Sequence, residues 1–142
     1  KAGLKWSDVQ AIGIANQGET SMAWSSETGA SLGPALSWED QRSAALCETL
    51  GQPVDDLIRA RTGVVLDPYF SASKFKWIVD TVPEVAAAAK AGILRLGGTD
   101  AFLISQLTGE QVHATEAGTA SRTALLPLME TDLLEGPMMS TS

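Results

Sequence analysis

What this chain lacks narrows it first. It has one cysteine, Cys47, so no intrachain disulfide can form, and a reducing, cytoplasmic setting is the expectation. It has one histidine, His113, and no Cys/His/Asp grouping at ligand spacing, so no metal site is assigned. Ten basic residues are scattered without a run against seventeen acidic ones, a net charge of −7. That balance argues against nucleic acid and against anionic membrane surfaces, both of which attract clustered Lys and Arg. No apolar stretch reaches the ~18 residues of a membrane span, and the N-terminus carries no signal-peptide pattern. No repeat, low-complexity tract or internal linker interrupts the chain. Its 142 residues, 44% of them hydrophobic, suffice for one ordinary domain with a core.

What is present alternates between strand and helix signals. Val9 to Ala15 is short, apolar and branched, the pattern of a strand covered on both faces. Ser21 to Trp24 reads as a second strand. The turn residues Glu27-Thr28-Gly29-Ala30 follow, with Gly29 suited to the left-handed conformation, and the chain returns through Leu36 to Trp38. Gln41 to Leu50 predicts a helix closed by Gly51, and Pro53 to Arg61 another that stops before Gly63. Ser71 is the expected N-cap of a third, with Phe70 stapled to Phe75 and apolar residues at Phe75, Ile78, Val79 and Val82. Glu84 to Ala91 is an Ala-rich helix ending at Gly92, Ile93 to Leu96 a short strand, and Thr99 to Leu107 a helix stopped by Gly109. Residues 134–142 lack any period and are expected to fray, and Met129, Met138 and Met139 are read as tail or packing residues.

Polar residues gather where ligands bind in open α/β sheets. Asn16-Gln17-Gly18-Glu19-Thr20 follows directly on the Val9–Ala15 pattern, placing Asn, Gln and Glu at a strand's carboxyl end. Four further strings come after it in order: Ala35-Leu36-Ser37-Trp38-Glu39-Asp40-Gln41-Arg42, Thr62 through Lys74, Gly97-Gly98-Thr99-Asp100-Ala101-Phe102-Leu103-Ile104, and Ala120-Ser121-Arg122-Thr123. In this order and at these spacings the chain resembles the N-terminal domain of the FGGY family of carbohydrate kinases, most closely its glycerol-kinase branch. The resemblance runs from about residue 9 to about residue 128.

Several expectations follow from that resemblance. The fold is α/β, part of a ribonuclease-H-like, actin-like ATPase domain with a mixed sheet and flanking helices. Residues 1–142 then form a single incomplete domain, an interior part of the sugar-binding domain. The family's Asp-x-Gly-Thr phosphate loop and its Gly-Asp-Gln segment, which carries the catalytic Asp, do not occur here, so no catalytic residue is assigned to this chain. The resemblance implies ATP and Mg²⁺ as cofactors of a parent enzyme, a small polyol or sugar as substrate, and a possible homo-oligomer. The chain alone is expected to be inactive.

The family motif nominates four substrate-binding positions. Glu19 accepts hydroxyl hydrogen bonds, the alternative being a solvated carboxylate on an edge loop. Gly18 stands where the glycerol kinases carry Arg, which leaves room for a larger polyol, a ketose or water, unless Gly18 serves an unusual backbone angle. Trp38 forms an apolar wall or is a plain core residue. Tyr69, with Pro68 fixing its approach, donates its hydroxyl to the polyol. Asp67 reads as a turn or capping residue, and Lys74 and Arg122 as structural ion-pair partners. Glu19, Glu39 and Asp40 also invite a glycosidase reading, which needs a carboxyl separation that sequence does not supply. A non-catalytic sugar-binding or interaction module derived from a kinase is the main alternative.

Overall fold

A computed structural model describes residue 3 and residues 5–127. The expected fray at 134–142 and the methionines Met129, Met138 and Met139 lie outside the described residues. After a short 3-10 turn at Trp6–Asp8 come strand β1 (Met22–Ser25), helices α1 (Ala44–Thr62), α2 (Ser71–Thr81) and α3 (Pro83–Lys90), strand β2 (Leu94–Gly97), and helices α4 (Thr99–Leu107) and α5 (Ala117–Ser121).

β1 and β2 pair antiparallel, Met22 opposite Gly97 and Ser25 opposite Leu94. On the other edge of β1 the chain turns back and bridges Trp24 to Ser31 and Ser21 to Leu36. Gly29, at φ +68°, permits this reversal as its turn residues predict. Among the described residues the strand pairing is antiparallel throughout, and the parallel partner that a mixed sheet needs is not among them. Ala23, Leu36, Ile78 and Val85 form the buried core, and Leu32, Trp77, Val79, Val82, Leu94 and Leu96 pack against it. The helical spacing of Ile78, Val79 and Val82 therefore does mark the face of α2 that meets the sheet.

Two expectations need correction. Val9–Ala15 is not a strand: it pairs with no other described segment, and Val9, Ile12 and Ile14 are 47%, 64% and 38% exposed. A two-faced strand needs neighbours on both sides, which the described residues do not provide. Ser71 is not the N-cap of α2. Phe70 takes that place with extended backbone, and the Ala72 N–H in the first turn donates instead to the Thr123 carbonyl at 2.9 Å. A carbonyl from the end of α5 thus satisfies a donor that a cap side chain would otherwise take. The two helices expected on either side of Gly51 are both present within α1, and Gly51 breaks the helical backbone between them as expected. It adopts φ +63° and ψ −166°, a region that is essentially glycine's own.

Candidate functional site

The site is assembled from three places far apart in sequence. The first is the irregular segment 16–20, the second the turn 67–70 that leads into α2, and the third the end of α5. The second is fixed locally. Asp67 Oδ1 accepts the Tyr69 N–H at 2.8 Å, and the Asp67 carbonyl accepts the Phe70 N–H at 3.2 Å. Asp67 is therefore a turn-forming residue, as its position before Pro68 predicts.

Lys74 secures the same turn from below. Its side chain is fully buried and donates through Nζ to the carbonyls of Pro68 at 3.1 Å and Tyr69 at 2.6 Å. The expectation of an ion pair is corrected: no carboxylate lies within salt-bridge distance of it among the described residues. Burial holds its ammonium below the usual lysine pKa, while Glu19, Asp40 and Asp67 pull the other way. Two carbonyls at hydrogen-bond distance satisfy the buried charge where a carboxylate does not.

Arg122 joins the other two segments. Its Nε donates to Glu19 Oε1 at 2.6 Å, with the Glu19 side chain 12% exposed and that of Arg122 41%. The guanidinium lies over the rings of Tyr69 and Phe70, 5.6 and 5.0 Å from their centroids. Glu19 raises the Arg122 pKa further still. Ion pairing of Arg122 is as expected, but its partner is the carboxylate nominated for substrate.

The remaining nominated residues fall in place around this pair. Tyr69 meets Trp38 edge-on, ring centroids 5.9 Å apart, and meets Phe70 at 5.3 Å. Trp38 is 40% exposed, which removes the plain-core reading and leaves an aromatic face open to solvent. A Cβ built on Gly18 would lie 3.4 Å from Arg122 Cγ and 3.6 Å from its Cβ. A side chain at position 18 would therefore start in ordinary van der Waals contact with the Arg122 stem. Gly18 does not occupy the left-handed region, so it serves no unusual backbone angle of that kind. Asp40 pairs with Arg42 at 3.2 Å and accepts the Arg42 N–H, a local turn contact rather than one half of an acid pair with Glu19.

Glu19, Gly18, Trp38 and Tyr69 are therefore brought together. Sequence reasoning missed two members, Phe70 as a second aromatic under Arg122 and Lys74 as the anchor of the Tyr69 carbonyl. It also missed that Arg122 pairs with Glu19 among the nominated residues. The string Ala120-Ser121-Arg122-Thr123 held the signal for Arg122 itself, as one of the five strings that point to one family.

Comparison with known proteins shows the family and the fold. The model of the FGGY family of carbohydrate kinases, N-terminal domain, matches residues 1–133. The chain belongs to that family. A glycerol kinase of Shewanella frigidimarina is 49% identical over 126 residues, which are 88% of this chain and 25% of the relative. One of Thermus brockianus is 46% identical over 129 residues, 90% of this chain and 26% of the relative. The chain thus spans about a quarter of the length of these curated relatives. The crystal structure of Plasmodium falciparum glycerol kinase with ADP superposes with a TM-score of 0.78 at 32% identity, over 84% of this chain and 24% of that one. The FGGY chain therefore has an actin-like α/β fold, as its motifs imply. No described helix is long and apolar enough to cross a membrane.

Proposed function

We propose that this chain is the substrate-binding part of an ATP-dependent carbohydrate kinase that phosphorylates glycerol, a larger polyol or a ketose. The observation that carries the reading is the convergence of Glu19, Arg122, Tyr69 and Trp38 from distant segments onto one partly exposed surface. A carboxylate and a phenol bond hydroxyls, and the exposed aromatic faces suit the C–H side of a polyol. Arg122 engages one Glu19 oxygen through Nε, so the carboxylate is oriented before substrate arrives and still has acceptor capacity. Holding a hydroxyl in line for attack is a large part of catalysis in phosphoryl transfer, where the protein does little covalent chemistry.

ATP and Mg²⁺ enter this proposal through the family and its ADP-bound relative. The described residues do not fit a nucleotide site: Lys74 is committed to two carbonyls, and no three His, Cys, Asp or Glu side chains among them gather to hold a metal. The residues of this chain have positioning roles alone.

The full-length protein carrying this chain should produce ADP in a polyol-dependent manner across a panel of polyols and ketoses, and Glu19→Ala should lower kcat/KM for all of them. The 142-residue chain alone should produce none. Polyol binding without polyol-stimulated ADP in the full-length protein would leave a non-catalytic sugar-binding module and end the kinase reading.

A further inference from the structure

Arg122 is held more firmly than pairing with Glu19 requires. Its own N–H donates to the Thr119 carbonyl at 3.0 Å, and its neighbour Thr123 accepts from Ala72 at the start of α2. Its stem packs beside Gly18, and its guanidinium covers Tyr69 and Phe70. The bond to Glu19 runs from Nε, so the terminal Nη donors of the planar fork are not spent on that carboxylate, and the Tyr69 side chain engages only part of their capacity. With the side chain 41% exposed, a ligand can reach the guanidinium.

We infer that Arg122 is a specificity-determining residue of this site, donating from its guanidinium to a substrate hydroxyl beside the one that Glu19 accepts. The donor comes from the end of α5 because Gly18, next to Glu19 in the chain, has no side chain to supply it. This inference rests on the polyol-binding reading given above. Glu19 and Arg122 then select for adjacent hydroxyls, one acceptor beside one donor set, and the aromatic rings select for the carbon skeleton between them. The competing possibility is that Arg122 merely orders Glu19, and the two differ in how they treat a substrate that lacks one hydroxyl.

The test is a cycle between residue and ligand, read by tryptophan fluorescence in the full-length protein without nucleotide. The probes are glycerol, propane-1,2-diol and propane-1,3-diol, and the variant is Arg122→Lys, which keeps the positive charge near Glu19 but loses the fork. Glycerol binding should weaken by roughly 10-fold to 100-fold in the variant. At least one of the diols should bind wild type and variant alike, because it lacks the hydroxyl that Arg122 holds. Arg122→Ala carrying Gly18→Arg should recover part of the lost glycerol affinity, since the new guanidinium starts in the space the old stem vacates. Equal weakening of glycerol and both diols would reduce Arg122 to a support for Glu19 and overturn the inference, as would unchanged glycerol binding. If polyols bind with this pattern but no ADP is produced, the kinase reading falls and the assignment of Arg122 stands. If no polyol binds the wild type, the assignment falls as well.

Discussion

Lys74→Met should separate the fold's need for this side chain from the site's need for it. The ammonium is fully buried and donates at 3.1 and 2.6 Å to two carbonyls in the turn that presents Tyr69. Hydrogen bonds from a charged donor are worth ~1.5–3 kcal/mol each, so deletion removes about 3–6 kcal/mol of interaction. Against this, burying an ammonium costs several kcal/mol, and its lowered pKa reports that cost. Methionine fills similar space without charge, so the two terms largely cancel. What remains is the penalty for undonated carbonyls, about 1–3 kcal/mol, and urea unfolding should show a loss of that size.

The effect on ligand should be larger than this loss suggests. Without Lys74 the Tyr69 carbonyl is released and the aromatic wall shifts, and a displacement of about 1 Å can cost on the order of 100-fold in reactivity. Polyol KM should rise about tenfold or more while ATP KM stays within about twofold. The pH dependence has a definite sign. Below its folded pKa Lys74 is charged in both states and contributes no slope. Between that value and the ~10.4 of an unstructured lysine, the unfolded chain holds a proton the folded chain has lost, so stability relative to the variant rises with pH. A variant that loses stability but binds polyol as tightly as wild type would refute the link from Lys74 to Tyr69.

Three other outcomes are expected. Gly18→Arg places its Cβ 3.4 Å from Arg122 Cγ on a backbone outside the left-handed region, so it should fold and shift kcat/KM towards glycerol over longer polyols by roughly tenfold; an unchanged substrate ranking counts against position 18 as a specificity determinant. Glu116 caps α5 by accepting the N–H groups of Gly118 and Thr119, which lower its pKa; its stabilising contribution is present above the ordinary glutamate value and lost as pH falls through the folded one, so Glu116→Gln should flatten the acid limb of a thermal-stability profile. Val9, Ile12 and Ile14 are exposed, so light scattering should show the 142-residue chain associating with concentration, and Ile12→Asp should weaken this; a monomer at all concentrations would contradict it.

The parts of the fold that were legible in the sequence are those set by near neighbours. The Ala-rich run from Glu84 gives α3, Gly29 turns the chain after β1, and the apolar spacing of Ile78, Val79 and Val82 gives the buried face of α2 because each signal acts within a turn or two. Val9–Ala15 misled because an apolar run says that a segment can be a strand, while pairing depends on partners elsewhere. Ser71 misled for a related reason: it is a good cap residue, but the Thr123 carbonyl reaches the start of α2 through the tertiary fold and takes a first-turn donor. Of the candidate site, Glu19, Trp38 and Tyr69 were nominated by their motifs and lie together in the structure, while the contact that joins Glu19 to the rest was not legible. Glu19 and Arg122 are 103 residues apart, and no local pattern foretells that pair.

That separation also explains how the site is held. Segment 16–20 lies outside the named helices and strands, so the position of Glu19 depends on what its side chain meets. Arg122 supplies this with an ion pair, and Arg122 is itself fixed because Thr123 is bonded to the start of α2. The turn bearing Tyr69 precedes the same helix and is pinned by Asp67 and Lys74. Acceptor, donor and aromatic wall are thus all referred to the N-terminus of α2, whose face is buried in the core through Ile78. Groups that share one rigid reference do not perturb binding independently. Lys74 bonds the Tyr69 carbonyl and Arg122 lies over the Tyr69 ring, so changes at both should couple by about 0.5–3 kcal/mol instead of adding. Strict additivity in a double-mutant cycle on polyol binding would mean that the two halves of the site are anchored separately.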